Sequence, residues 1–426
     1  MKTTEIKTGY KQTEVGIIPE DWEVKKFGEI LNVIGGGAFK SIDSSNLGIR
    51  WLKIANVGVN KIVWNEENFL PLRLINEFGN FLLKEGDYVL ALTRPILDRK
   101  LKMARLSYND VPALLNQRVG KIEVDQNSDI NYVYFVFQKY ETINSLLQSM
   151  AGTDPPNLGN KGIYNIDCAI PSTKSEQTLI ATALSDTDSL ISSLEKLIAK
   201  KRNIKQGAMQ KLMSESGFSG LKDKQNFEMD NNSVNSANPI NSDSDNWEVK
   251  KLGEILKVKH GKSQKEVEVK GGKFPILGTG GLMGFTNHFL SDKPSVLIGR
   301  KGTIDKPQYM ETPFWTVDTL FYTEIFDGYN AKFVFYVFNL IDWYSFNEAS
   351  GVPSLNAKTI EKIEISFPSF KEQTRIATIL SDMDAEIAAL GGKLAKYRDI
   401  KLGMMQVLLT GKIRLVNNCV NKNDCF

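Results

Sequence analysis

The sequence predicts a mixed α+β fold built twice. Two α/β parts are each followed by one long helix, and the two helices pack on each other as a coiled coil. Three observations carry this expectation. WEVKKFGEI from Trp22 returns as WEVKKLGEI from Trp247, matching at eight of nine positions with an offset of 225. EQTLIATALSDTD from Glu176 returns as EQTRIATILSDMD from Glu372, with an offset of 196. The register of that second pair holds to IKQGAMQKLM from Ile204 and IKLGMMQVLL from Ile400. The offsets differ by 29, so the second copy is that much shorter between its Trp and its Glu-Gln-Thr.

The first variable part spans about 20–175 and the second about 247–370. Short β-rich runs punctuated by Gly and Pro dominate both, among them Tyr88 to Leu92, Val119 to Val124 and Ser295 to Ile298. YVYFVF from Tyr132 and FVFYVF from Phe333 match between the copies, and propensity reads both as strands. After each variable part comes a proline-free helical stretch. In the second copy Ile376, Leu380, Met383, Ile387, Leu390, Leu394, Tyr397, Met404 and Leu408 recur at three- and four-residue spacing, broken only at Lys401. The first copy repeats the seam with Ile180, Leu184, Ile191, Leu194, Ile198, Ala208 and Leu212, interrupted by Thr187, Lys201 and Lys205. Each helix runs about 55 Å at 1.5 Å per residue. Its narrow apolar stripe must be buried, and the matching helix is the economical partner. The alternative is that each helix packs on its own domain. The chain then divides as 1–175, helix 176–214, linker 215–246, 247–371, helix 372–415 and tail 416–426. In Ser214 to Asp245, Asn, Ser and Asp make up 17 of 32 residues, too polar to bury a core, so a flexible linker is expected.

Composition sets the class. With 42% hydrophobic and 24% charged residues the chain is ordinary globular, long enough for two to four domains. A net charge of +3 excludes a histone-like polycation and leaves room for local basic clefts. Cys168, Cys419 and Cys425 are too few and too scattered for a disulfide scaffold. His260 and His288, without a Cys or His cluster, argue against a zinc or copper site. MKTTEIKTGYKQ has no apolar signal core, and no apolar run approaches the roughly 20 residues of a membrane helix. A soluble protein of the reducing, cytoplasmic compartment is expected.

Several catalytic look-alikes fail on inspection. Asp154-Pro155-Pro156-Asn157 resembles an amino-methyltransferase tetrad, but the fourth residue is not an aromatic that stacks on a flipped base. Its counterpart, Gly351-Val352-Pro353-Ser354, loses the tetrad, and Gly35-Gly36-Gly37 is a bare glycine run. Gly261-Lys262-Ser263 mimics the end of a phosphate loop, yet Leu256 stands where the first glycine is required. Glu23-Val24-Lys25, Glu248-Val249-Lys250 and Glu268-Val269-Lys270 match half of a nuclease site in a very common tripeptide. No catalytic or metal centre is expected, and duplication without catalysis suggests a two-site binder.

Candidate ligand contacts are basic. Arg94, Arg99, Lys100, Lys102 and Arg105 face one acid, Asp98, and Asn116-Gln117-Arg118 follow in the same copy. Arg and amide side chains make paired hydrogen bonds to purine edges. The second copy offers Gly299-Arg300-Lys301-Gly302-Thr303, a glycine-flanked cationic turn suited to a phosphate, with Lys262, Lys265 and Lys273. Lys200-Lys201-Arg202 reads as a solvated face or a protein contact.

The motifs together resemble a known family. GYKQTEVGIIPEDW leading into WEVKKFGEI, the PSTKSEQTLIATALSDTD and FPSFKEQTRIATILSDMD segments, the Met-Gln helix ends and the terminal LLTGKIRL at Leu408 to Leu415 are similar to type I restriction–modification specificity subunits. PILGTGGLMG, VLIGRKGTI and PFWTVDTL resemble one class of target-recognition domain of that family. The resemblance implies two α/β target-recognition domains, each reading half of a split asymmetric double-stranded DNA sequence, held by two antiparallel helices. It implies two methyltransferase subunits that supply S-adenosylmethionine and methylate adenine, and two ATP- and Mg2+-dependent translocase-nuclease subunits. This chain would itself bind no cofactor. The resemblance also makes the Tyr132 and Phe333 runs helical, against propensity. Rival readings are a self-contained methyltransferase or nuclease, a non-catalytic scaffold or adaptor, and the specificity module of a fused restriction–methylation system.

Overall fold

The computed structural model describes residues 6–65, 68–152, 154–213 and 247–415. The chain forms two units. One joins the residues up to Glu195 with those from Lys393 onward, and the other is Lys196–Gly392. The expected linker and polar tail, with Cys419 and Cys425, lie outside the described residues.

Both units are built on one plan. In the first, the strands Met103–Arg105, Tyr88–Ala91, Val119–Val124 and Leu31–Gly35 form an antiparallel sheet in that order. In the second, Gln308–Met310, Ser295–Gly299, Leu320–Ile325 and Leu256–His260 repeat it. Leu31 and Val33 on one outer strand, and Leu256 and Val258 on the other, turn alternate side chains into the core, as period-two patterning requires. Beside each sheet lies a smaller one containing a parallel pair, Ile49–Leu52 with Ala113–Leu115 and Phe274–Gly278 with Trp315–Thr316. The repeated Trp-Glu-Val-Lys-Lys forms a two-stranded ladder with the segment before the long helix: Glu23–Lys26 with Asp167–Ile170, and Glu248–Lys251 with Glu364–Phe367.

The runs that propensity reads as strands are helices, Ile130–Phe137 and Ala331–Leu340. Asp129 caps the first by accepting from the amides of Asn131 and Tyr132, and Asn330 caps the second through Phe333. Tyr132 through Phe137 are all buried, so this helix is apolar on every face and carries no periodic signature. The repeated Glu-Gln-Thr explains both starts. The Gln177 side chain accepts from the Asp129 amide at 2.8 Å and donates to the Pro171 carbonyl at 3.0 Å. Gln373 does the same with Asn330 at 2.9 Å and Pro368 at 2.9 Å. One buried amide thus ties the short helix to the long one in each unit.

The long helices are Lys174–Met213 and Phe370–Leu408. Each begins on its own domain, where Ile180, Ala181 and Leu184 join the first core and Ile376, Ala377 and Leu380 the second. Each ends on the other copy's domain. Leu408 and Leu409 are buried in the first unit's core, and Met213 in the second's. The compact units cut across the expected division by copy, since every unit contains parts of both helices. Both packing expectations hold, on different turns of the same helix.

The breaks in the seam are cross-helix contacts. In the first unit Lys401 pairs with Asp188 at 2.7 Å, Arg398 pairs with Glu195, and the Thr187 hydroxyl meets the Met404 sulfur at 3.4 Å. In the second, Lys201 pairs with Glu386 at 2.7 Å and Lys205 pairs with Asp384. Rising numbers on one helix meet falling numbers on the other, so the pairing within each unit is antiparallel. Leu194 and Ile198 are buried, while Ile191, Met383, Ile387, Leu390, Leu394 and Tyr397 are half-buried.

Candidate nucleic-acid interface

At the end of each four-stranded sheet where the small sheet joins it, the same backbone frame recurs with different side chains. The Leu92 amide donates to the Arg118 carbonyl at 3.0 Å, and the Arg300 amide to Thr319 at 2.8 Å. Leu158 donates to Leu92 at 2.7 Å, and Leu355 to Arg300 at 2.9 Å. Arg94 donates to Pro156 at 2.8 Å, and Gly302 to Pro353 at 2.9 Å. Asp154-Pro155-Pro156-Asn157 and Gly351-Val352-Pro353-Ser354 are therefore equivalent segments of the backbone frame, not a methyltransferase tetrad and its remnant. Both glycine look-alikes are packing positions too. A Cβ on Gly36 would lie 2.1 Å from the Leu115 carbonyl oxygen, and one on Gly261 would lie 2.0 Å from that of Val317.

A cleft opens beside this frame in each unit. In the first, of 650 Å³, Thr93, Gln117, Arg118, Asp154, Asn157 and Asn160 line it. In the second, of 510 Å³, Gln264, Thr279, Leu282, Met283, Asp318 and Thr319 do. Both are open; the first is lined largely by hydrogen-bonding groups, and the second also by Leu282, Met283 and Val317.

Of the predicted contacts in the first unit, Arg94, Gln117 and Arg118 are exposed on the frame itself. Asp98 and Arg99, at φ 48° and 58°, form the tight turn of a hairpin, Ile96–Leu97 with Lys100–Leu101. Arg99 in the turn and Lys100 beside it are exposed. The Lys102 ammonium donates to the Ile54 carbonyl at 3.0 Å, and burial lowers its pKa. Arg105 is exposed at the opposite end of its strand, paired with Tyr88 and beside Gly86. Asn116 is half-buried and serves the turn, its side-chain oxygen accepting from the Arg118 amide at 3.2 Å.

In the second unit exposed Lys301 and half-buried Arg300 lie on the frame, and Arg300 donates to the Asp318 carbonyl at 3.2 Å. Lys262 is exposed on the strand exit, its amide donating to Thr316 at 2.9 Å. Thr303 closes the cationic turn, and its carbonyl would lie 2.0 Å from a Cβ on Gly299. Lys273 precedes the hairpin strand Phe274–Gly278, whose far end reaches the cleft. Sequence reasoning missed Asp318, Thr319, Gln264 and Thr279. The signal for three of them lay in PILGTGGLMG and PFWTVDTL, the motifs that resemble a target-recognition domain and contain Thr279, Asp318 and Thr319.

No group of three or more His, Cys, Asp or Glu among the described residues is placed to hold a metal. The Cys168 thiol is buried, which pushes its pKa up to about 12, the mark of an inert packing cysteine.

A family model described as the type I restriction modification DNA specificity domain matches residues 19–206 and 244–396. The chain belongs to this family. The type I restriction enzyme MjaVIII specificity subunit of Methanocaldococcus jannaschii is 37% identical over 183 residues, 43% of this chain and 43% of that protein. The type I restriction enzyme EcoAI specificity subunit of Escherichia coli is 34% identical over 191 residues, 44% of this chain and 30% of that protein. In matched sequence the chain spans less than half the length of either. Among solved structures, the type I restriction–modification S subunit from M. genitalium has a TM-score of 0.62 at 18% identity, covering 91% of this chain and 96% of that one. That likeness shows a shared fold. The two matched segments each carry one of the clefts described above. Among the described residues no helix is long and apolar enough to cross a membrane.

Proposed function

We propose that the chain is the DNA-specificity subunit of a type I restriction–modification complex, each unit reading one half of a bipartite, asymmetric target. The observation that carries this is the cleft frame. The same backbone hydrogen bonds recur in both units while the side chains at the rim differ. That is the pattern of one binding site adapted to two ligands of one chemical class. Cations such as Arg94, Arg99, Lys262 and Lys301 supply salt-dependent phosphate contacts, and amide, guanidinium and carboxylate groups supply base contacts.

The chain transfers no methyl group and cuts no strand. Two methyltransferase subunits bring S-adenosylmethionine to adenine, and two translocase-nuclease subunits bring ATP and Mg2+. The test is methylome sequencing of the host with and without this gene. Loss of one bipartite adenine-methylation motif is expected; an unchanged methylome overturns the reading. The isolated chain incubated with labelled S-adenosylmethionine and DNA should give no single-turnover methyl transfer.

A further inference from the structure

We propose that the two central residues of one turn, Gln117-Arg118 in the first unit and Asp318-Thr319 in the second, each determine one base pair of their half-site. This rests on the reading of the chain as a DNA-specificity subunit. The turn is the same in both units. It leads from the parallel strand of the small sheet into the central strand of the large one. The Val119 amide donates to Asn116 at 2.9 Å to close it in the first unit, and the Leu320 amide to Val317 at 3.0 Å in the second. The main chain also anchors it from outside, through the Leu92 amide on Arg118 and the Arg300 amide on Thr319. Backbone bonds set the position in both units, the Asn116 side chain and the Arg300 guanidinium each add one bond to the main chain of their turn, and the side chains of the two central residues are left to differ. Gln117, Arg118 and Asp318 are exposed, Thr319 is half-buried, and all four border their unit's cleft.

The chemistry at these equivalent positions is opposite in sense. An Arg fork donates two hydrogen bonds to guanine O6 and N7, and a Gln amide pairs with adenine N6 and N7. A carboxylate accepts from the cytosine N4 amino group and is repelled by phosphate. Asp318 stands beside the cations Arg300 and Lys301, and the Arg300 guanidinium holds its carbonyl rather than its carboxylate. An acid kept free at a cationic rim serves a base edge, not the backbone of DNA. The turn therefore reads a purine in the first half-site, guanine where Arg118 makes the contact, and cytosine in the second.

The full-length chain with its methyltransferase subunits would be offered a duplex library with both half-sites randomised, and the methylated sequences read. Grafting Gln117→Asp with Arg118→Thr should move the preference at one base pair of the first half-site from purine towards cytosine. Discrimination there should change at least about fivefold. Asp318→Asn should lose the cytosine preference in the second half-site only. Arg118→Lys keeps the charge without the fork. It should relax the guanine preference while leaving the salt dependence in place, so it carries the test if the graft does not fold. In every variant the untouched half-site reports that the protein is folded and assembled. Unshifted motifs in the variants, or a loss of rate alike on all sequences, overturn the assignment of the turn. A wild-type complex that methylates without sequence preference overturns the DNA-specificity reading itself.

Discussion

Arg414 joins the last described residues to the first strands of its unit. Its guanidinium pairs with buried Glu176 at 2.6 Å and with Asp21 at 2.8 Å, and it lies over the Trp22 ring at 5.8 Å. Trp22 in turn donates to Glu176 at 3.3 Å, and Tyr10 donates to the Gly411 carbonyl at 3.0 Å. Arg414→Ala leaves the Glu176 carboxylate buried without its cation, which should cost on the order of 3 kcal/mol, read by urea unfolding. The Arg414 hydrogen bond holds the Asp21 carboxyl below its usual value. Asp21 therefore adds stability above the ordinary carboxylate range, and that increment is lost as pH falls through the lowered folded value. In Arg414→Ala this acid-side loss should shrink. Lys102 and Arg99 make a second contrast. Arg99→Ala should reduce the salt slope of binding to the first half-site by about one. Lys102→Met should leave that slope unchanged, because its ammonium is already committed to Ile54.

At the scale of the element, the long helices show why a seam can be polar and still specific. Lys401, Lys201 and Lys205 interrupt the apolar repeat, and each meets an acid on the opposite helix of its unit. A mispaired register would leave these cations against apolar side chains, so the ion pairs select the register while contributing little net stability. Lys401→Glu should destabilise the first unit, and adding Asp188→Lys should restore it. The double-mutant coupling energy should be about 1 kcal/mol or more by thermal unfolding. The short helices make the opposite point. The aromatic and β-branched residues of Tyr132–Phe137 favour a strand locally, but Asp129 and Gln177 supply the cap, and burial on every side removes any cost of an all-apolar helix.

In the whole molecule the copies exchange their helix ends. The residue that ends each repeat, Met213 or Leu409, is buried against the other copy's domain. A fragment ending near Gly220 keeps the first domain but loses Leu408, Leu409 and Arg414. Ile180 and Leu184 stay covered by that domain, so the drive to pair comes from Leu194, Ile198 and the uncovered site. Exposing a large apolar side chain costs about 1.5–3 kcal/mol. A second fragment can bring Leu212 and Met213 into the place of Leu408 and Leu409. The fragment should therefore sediment as a pair in the presence of the methyltransferase subunits. Its closed two-fold symmetry should turn the target into a palindrome of the first half-site. A monomeric fragment in that complex, or one still directing methylation to the asymmetric sequence, would contradict the duplicated architecture.

The duplication, the two long helices, the strands at Tyr88, Val119 and Ser295 and the absence of a catalytic motif were all legible in the sequence. Repeats and hydrophobic period are local properties, written residue by residue. Three things were settled only in three dimensions. The aromatic runs became helices because capping and burial outweighed propensity. Within one basic run, Lys102 bonds a backbone carbonyl while Arg105 sits at the far end of its strand, a separation set by long-range packing. The equivalence of Gln117-Arg118 with Asp318-Thr319 emerged because backbone hydrogen bonds preserve position where side chains share nothing. Sequence records what a residue is, and long-range packing decides which way it faces and what it is free to touch.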